Sequence, residues 1–225
     1  EKEKQLRNML HKKALKFVPN FVGISELGLY ENTTILVFGD HGWNLGEHTL
    51  WCKHANFETA TRTALMIKLP QGQNAQVSSA LAGLIDIYPT LNDVCGLGLP
   101  NHVAGKSLLP VIKGQREAVN ERVFSLYFDS YSMRTKRYRF TRYFEPTAIR
   151  NSTLADSTGI YELYDHQHDP DENFNIAYEP ENRKLVQRLE KEMDEYGFLP
   201  FRGGSEGPAF QQMEIKIIPC LLITR

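Results

Sequence analysis

The sequence predicts an α/β fold: a mixed or parallel sheet flanked by helices, followed by a small antiparallel sheet with a C-terminal helix. Three observations lead there. The runs 33-TTILVFG-39 and 64-ALMIKLP-70 are β-branched, aromatic and aliphatic without polar alternation, as in strands covered on both faces of a parallel sheet. Helix signals follow them, giving a strand, helix, strand order. From about residue 116, shorter segments alternate aromatic with basic residues between turns, the pattern of an antiparallel sheet. The division expected is a first unit over 1–115, a second over 116–203, and an unassigned tail over 204–225.

Each element has a local reason. Leu6, Met9, Leu10, Ala14 and Phe17 recur at helical spacing among lysines and glutamates, so 1–17 reads as an amphipathic helix that Pro19 ends. A turn at 27–32 precedes the first strand. After the small-residue loop 71–80, the stretch 84-LIDIYPTLNDVCGLGLP-100 places Pro89 in the first turn of a helix and Gly96 at its end. Residues 105-GKSLLPVIKG-114 read as a loop and a short helix. The segments 122–128, 132–144 and 159–165 are strands, and 180-PENRKLVQRLEKEMDEYG-197 is a helix with Leu185, Leu189 and Met193 on one face. The tail ends apolar, which fits an edge strand and a read-through sequence equally.

Composition narrows the function. The 225 residues are 41% hydrophobic, enough to bury a core, and 26 basic against 27 acidic side chains leave a formal charge of -1. No overall field favours nucleic acid or an acidic membrane surface, and no apolar run of eighteen residues spans a bilayer. Cys52, Cys95 and Cys220 are too scattered for a zinc knuckle or a disulfide framework. Two N-x-[ST] triplets begin at Asn32 and Asn151 and decide nothing alone. The cluster 134-RTKRYRFTR-142 reads as a half-solvated strand, with a polyanion-binding strip as the other reading.

Chemistry gathers in 38-FGDHGWNLGEHTLWCKHANF-57, directly after the first strand. The carboxyl end of a parallel strand is where open α/β sheets place ligands, and Gly39 and Gly42 permit unusual dihedrals and a close backbone approach. Asp40 and His41 suit a divalent cation such as calcium, magnesium or zinc, with further ligands from elsewhere. Lys53 would hold an anionic group bound to the same metal. The plainer reading makes D-H-G a turn, His48 and His54 packing groups and Lys53 solvated. Glu47 and His48 read as orienting the loop, with a part in catalysis as the other reading, and Trp43 and Trp51 as packing it, with stacking on substrate as the other reading.

The string GDHGWNLGEHTLWCKHANFETATRTALMIKLP resembles the C-terminal metal-binding segment of sulfatases in the alkaline-phosphatase-like superfamily, and is most similar to the iduronate-2-sulfatase-like branch. DIYPTLNDVCGLGLP, GKSLLPVIKG, RTKRYRFTRY and 162-ELYDHQHDPDENFNIA-177 keep the family order, so the resemblance covers about 25–195. It implies a partial alkaline-phosphatase-like sheet, calcium held by Asp40 and His41, a sulfate contact from Lys53 with His54 beside it, and a sulfated sugar as substrate. The family's nucleophile is a formylglycine made within C/S-x-P/A-S-R, a motif absent from these residues, as is the N-terminal Asp-Asp metal pair. The resemblance therefore implies half a site, in a protein expected in periplasm, lysosome or secretions. Two other readings stand beside it: a phosphoric ester hydrolase of the same superfamily using Thr or Ser and zinc, and an inactive glycan-binding remnant using Arg134, Lys136, Arg137, Arg139 and Arg142.

Overall fold

The computed structural model describes residues 22–72, 75–127, 130–143 and 160–196, and the backbone of 217–218 and 220–224. The helix predicted over 1–17 and the Asn151 triplet lie outside the described residues. Twelve strands are defined among them: β1 (Ile35–Phe38), β2 (Asn44–Leu45), β3 (Trp51–Cys52), β4 (Ala64–Lys68), β5 (Ala75–Ser78), β6 (Ala82–Gly83), β7 (Arg122–Tyr127), β8 (Ser130–Thr135), β9 (Tyr138–Tyr143), β10 (Ile160–Asp165), β11 (Ile217–Ile218) and β12 (Cys220–Thr224). Besides a helical stretch at 22–26, the α-helices among the described residues are α1 (Glu58–Thr61), α2 (Ile87–Val94), α3 (Leu109–Ile112) and α4 (Arg183–Glu195).

The first sheet has the order β1-β4-β12-β5 and is mixed. β12 runs parallel to β4 from Cys220↔Ala64 to Thr224↔Lys68 and antiparallel to β5. β1, expected in a parallel setting, pairs antiparallel with β4 from Ile35↔Lys68 to Phe38↔Leu65. Between them the chain carries only a two-stranded ribbon and one helical turn, so it folds back beside β1 instead of crossing over a long helix. Neither apolar run is covered on both faces. Leu65 and Ile67 are buried while Ala64 and Met66 are exposed, and Phe38 is exposed as well. The inward face packs on Ala80, Ala82, Leu108, Val111 and Ile112.

α2 begins where expected, with Pro89 inside it, and stops at Gly96, whose φ of +66° only glycine adopts without strain. Leu97 N–H returns to Asn92 O at 2.8 Å, closing the helix end. Asp86 fixes this corner: its carboxylate accepts from Gly83 N (2.8 Å), Lys106 N (2.8 Å) and Asn120 Nδ2 (2.7 Å). Burial pushes its pKa up, against the pull of those bonds.

The second sheet, β10-β9-β8-β7, is wholly antiparallel. Its register aligns Phe124, Met133, Phe140 and Leu163 in one row across all four strands, and Val186, Leu189 and Met193 of α4 pack on that row. Arg122 and Arg142 lie on the same side and reach Glu192 and Asp194 of α4. On the opposite face the neighbouring rows are polar, Ser125-Ser132-Thr141-Glu162 and Val123-Arg134-Arg139-Tyr164. These polar residues are largely buried too.

Burial of the basic strand overturns the half-solvated reading of 134–142. Arg134, Arg139 and Arg142 are all buried and ion-paired, and Arg137 is bound to Asp165 at 2.6 Å. Four of the five cations proposed for a glycan strip are thus engaged with carboxylates of the chain itself.

Candidate functional site

The loop between β1 and α1 carries the predicted residues. Asp40 and His41 follow β1, and Asp40 Oδ2 lies 3.4 Å from His41 Nε2. His41 Nδ1 donates to Gly42 O at 2.7 Å, which turns Nε2 toward the carboxylate. Two ligand atoms about 2.4 Å from one cation and at right angles are themselves about 3.4 Å apart, so this pair fits two adjacent positions around a dication. Among the described residues, no third carboxylate, imidazole or thiolate joins them. Trp43 stacks on the His41 ring (5.8 Å between centroids) and restrains it.

Gly39 and Gly42 serve the chain's own packing, which corrects the ligand-approach reading. Neither has positive φ. A Cβ at Gly39 would sit 1.9 Å from Thr63 Oγ1, and one at Gly42 would sit 2.1 Å from Thr59 O and 2.6 Å from Arg62 O. That closeness lets Gly42 N and Trp43 N donate to Ala60 O (2.8 Å) and Thr59 O (2.7 Å), tying the Asp40–His41 turn to α1.

The ribbon β2–β3 projects from this anchor. Buried Asn44 donates to Cys52 O at 2.9 Å and accepts from Thr59 Oγ1. Glu47 accepts from Leu45 N, which lowers its pKa, and His48 stacks flat on Phe57 at 3.9 Å. Both therefore shape the loop. Lys53 follows β3, half-buried, and its ammonium has no ion-pair partner among the described residues. Its neighbour His54 meets Tyr127 Oη at 2.9 Å through Nδ1.

A second cluster escaped the sequence reading. Glu58, His166 and Glu172 bring three ligand-type atoms within 4.8 Å of one another, but arginines fill the space between them. Arg139, fully buried, bridges Glu172 and Glu58 and also donates to Thr61 Oγ1 at 3.1 Å. Arg134 donates to His166 Nδ1 at 2.7 Å, which obliges His166 Nε2–H to donate to Glu172 (2.7 Å). The Glu172 carboxylate also accepts from Glu58 N at 2.7 Å, at the first residue of α1. Burial raises the Glu172 pKa, but the Arg139 charge and these donors outweigh it and bring it down to about 2. Two arginines balance two glutamates, so the cluster needs no metal. Glu172 stands within the quoted ELYDHQHDPDENFN string; what no residue-type rule exposed was its partnership with a strand arginine 33 positions earlier.

Comparison with known proteins agrees with this architecture. Residues 46–197 match the family described as N-sulphoglucosamine sulphohydrolase, C-terminal. The chain is 30% identical to arylsulfatase K of Bos taurus, over 69% of this chain and 29% of that protein. It is 29% identical to an N-acetylglucosamine-6-O-sulfatase of Bacteroides thetaiotaomicron, over 77% of this chain and 32% of that protein. A solved structure in complex with its substrate D-glucosamine-2-N,6-O-disulfate superposes with a TM-score of 0.63 at 24% identity, over 77% of this chain and 36% of that one. The chain thus spans about a third of the length of the curated relatives it matches. With the β1–α1 loop, the antiparallel sheet and α4 falling in or beside the matched span, the chain belongs to the sulfatase family and carries its N-sulphoglucosamine-sulphohydrolase-type C-terminal region.

Proposed function

We propose that the protein containing this chain hydrolyses sulfate esters of a sugar, and that this region supplies part of its metal and sulfate site. The convergence of Asp40 Oδ2 and His41 Nε2, inside a sulfatase-family chain, is the observation that supports it. Asp40 and His41 would hold calcium, which when bound neutralises sulfate oxygens and favours an ionised nucleophile. Lys53, which has no ion pair among the described residues, would donate to a sulfate oxygen and stabilise charge on the transferring group. His54, held by Tyr127, would sit at the edge of the bound sugar. No C/S-x-P/A-S-R occurs in these 225 residues, so the formylglycine nucleophile would come from another part of the protein.

Sulfate release from N-acetylglucosamine 6-sulfate, measured against phosphate release from the matching phosphate ester, tests the reading in the full-length protein. Lys53→Ala should lower kcat/KM at least about 100-fold, as for loss of an oxyanion donor. Asp40→Asn should weaken calcium binding in calorimetry. Faster turnover of the phosphate ester, or an unaffected Lys53→Ala variant, would overturn it.

A further inference from the structure

Three alternate side chains after Lys53 each meet the polar face of the antiparallel sheet. His54 reaches Tyr127 of β7. Asn56 donates to Ser130 Oγ of β8 at 2.9 Å and accepts from Ser125 Oγ of β7 at 2.8 Å. Glu58 meets Arg139 of β9 at 2.5 Å and Arg134 of β8 at 3.5 Å. The segment is bent, with Ala55 N donating to Lys53 O at 3.0 Å and Glu58 already in α1, and it still turns His54, Asn56 and Glu58 to the sheet. Ser125, Ser130, Arg134 and Arg139 are buried and each meets Asn56 or Glu58 of this segment.

The loop depends on such an outside hold. His48, Thr49 and Cys52 have φ of 52°, 59° and 74°, left-handed values that cost about 1–2 kcal/mol per non-glycine residue. At its far end the loop is held by α1, whose first N–H and first side chain are both held by the Arg139–Glu172 pair.

We propose that the polar face of the antiparallel sheet is a template that positions Lys53 through the adjoining His54 and Asn56, and the Asp40–His41 turn through α1, with Asn56, Arg139 and Glu172 as its positioning residues. The functional consequence rests on the sulfate-site reading above; the placement itself does not.

The test uses Asn56→Ala, Arg139→Met and Arg139→Lys in the full-length protein, well below each variant's melting temperature. Amide hydrogen exchange at Gly42, Trp43 and 44–53 should quicken about tenfold in Asn56→Ala and Arg139→Met, the scale of one lost buried hydrogen bond, while β1 and β4 change by less than about twofold. Inorganic sulfate should bind about tenfold more weakly to both, and calcium more weakly to Arg139→Met alone, with partial recovery in Arg139→Lys. Should Arg139→Met not fold, Ser125→Ala removes one bond to Asn56 and no charge, and serves in its place. A lowered melting temperature with unchanged loop exchange and unchanged affinities would mean a merely structural network and would overturn the proposal. If Lys53→Ala and Asp40→Asn leave sulfate and calcium binding intact, the sulfate reading fails, and the exchange measurement still decides the template.

Discussion

Glu172 shows how much one side chain can concentrate. Its carboxylate receives Arg139, His166 and the first amide of α1, and the attraction exceeds the burial penalty. Because its pKa falls on folding from 4.5 to about 2, the unfolded chain holds the proton more tightly. The resulting stabilisation is complete above about pH 4.5 and is lost as the pH drops from there to about 2, amounting to about 3 kcal/mol. Glu172→Gln should flatten the acid limb of urea-denaturation stability over that window; an unchanged limb would show that the pair contributes nothing net. Gly42 makes a second residue-scale case. Gly42→Ala would drive a methyl into Thr59 O and Arg62 O, both backbone atoms, so the turn must move. A melting temperature lowered by several degrees, with loss of the Gly42 and Trp43 amide protection, is the expected result. The sequence marked Asp40, His41 and Lys53 by residue type, but it misassigned the glycines, since a neighbouring carbonyl across the fold leaves no trace in local spelling.

Among elements, α4 was legible nearly to the residue. A turn from Pro180 leads into Arg183–Glu195, and Leu189 and Met193 are buried as expected, joined by Val186 where Leu185 was favoured. Leu189→Ala should cost about 2–5 kcal/mol, read by denaturant titration, because it opens a cavity against Phe140 and Leu163. Exposed Arg188→Ala on the same helix should cost less than about 0.5 kcal/mol. The single strand expected over 132–144 is two, β8 and β9, which turn at 136–137 and pair antiparallel, and the environment of β9 was misread as well. Aromatic and basic residues alternate there because one face meets α4 and the other meets carboxylates, and charge alone cannot distinguish buried partners from water. Likewise the uninterrupted apolar spelling of β1 reflects partial burial beside an antiparallel neighbour.

At the scale of the molecule, two larger apolar clusters are joined through polar contacts and through a small apolar one, Leu81 with Val123. One lies under the mixed sheet and the other between the antiparallel sheet and α4. Asn56, Glu58 and Arg139 carry the junction, and a buried charge left unpaired costs about 3–5 kcal/mol, so neither side can release the other cheaply. Calorimetry should therefore show one cooperative transition, which Arg139→Met should split into two. Two transitions in the unmodified protein would refute that coupling.

The bond from Glu58 N to Glu172 spans 114 positions. Chain-closure entropy makes such a contact late, so during refolding the 40–54 region should stay unordered until β9 and the 166–172 turn have come together. A polypeptide still emerging from the ribosome, with residue 172 not yet made, would carry the 40–54 loop without the anchor that fixes its shape in the folded chain.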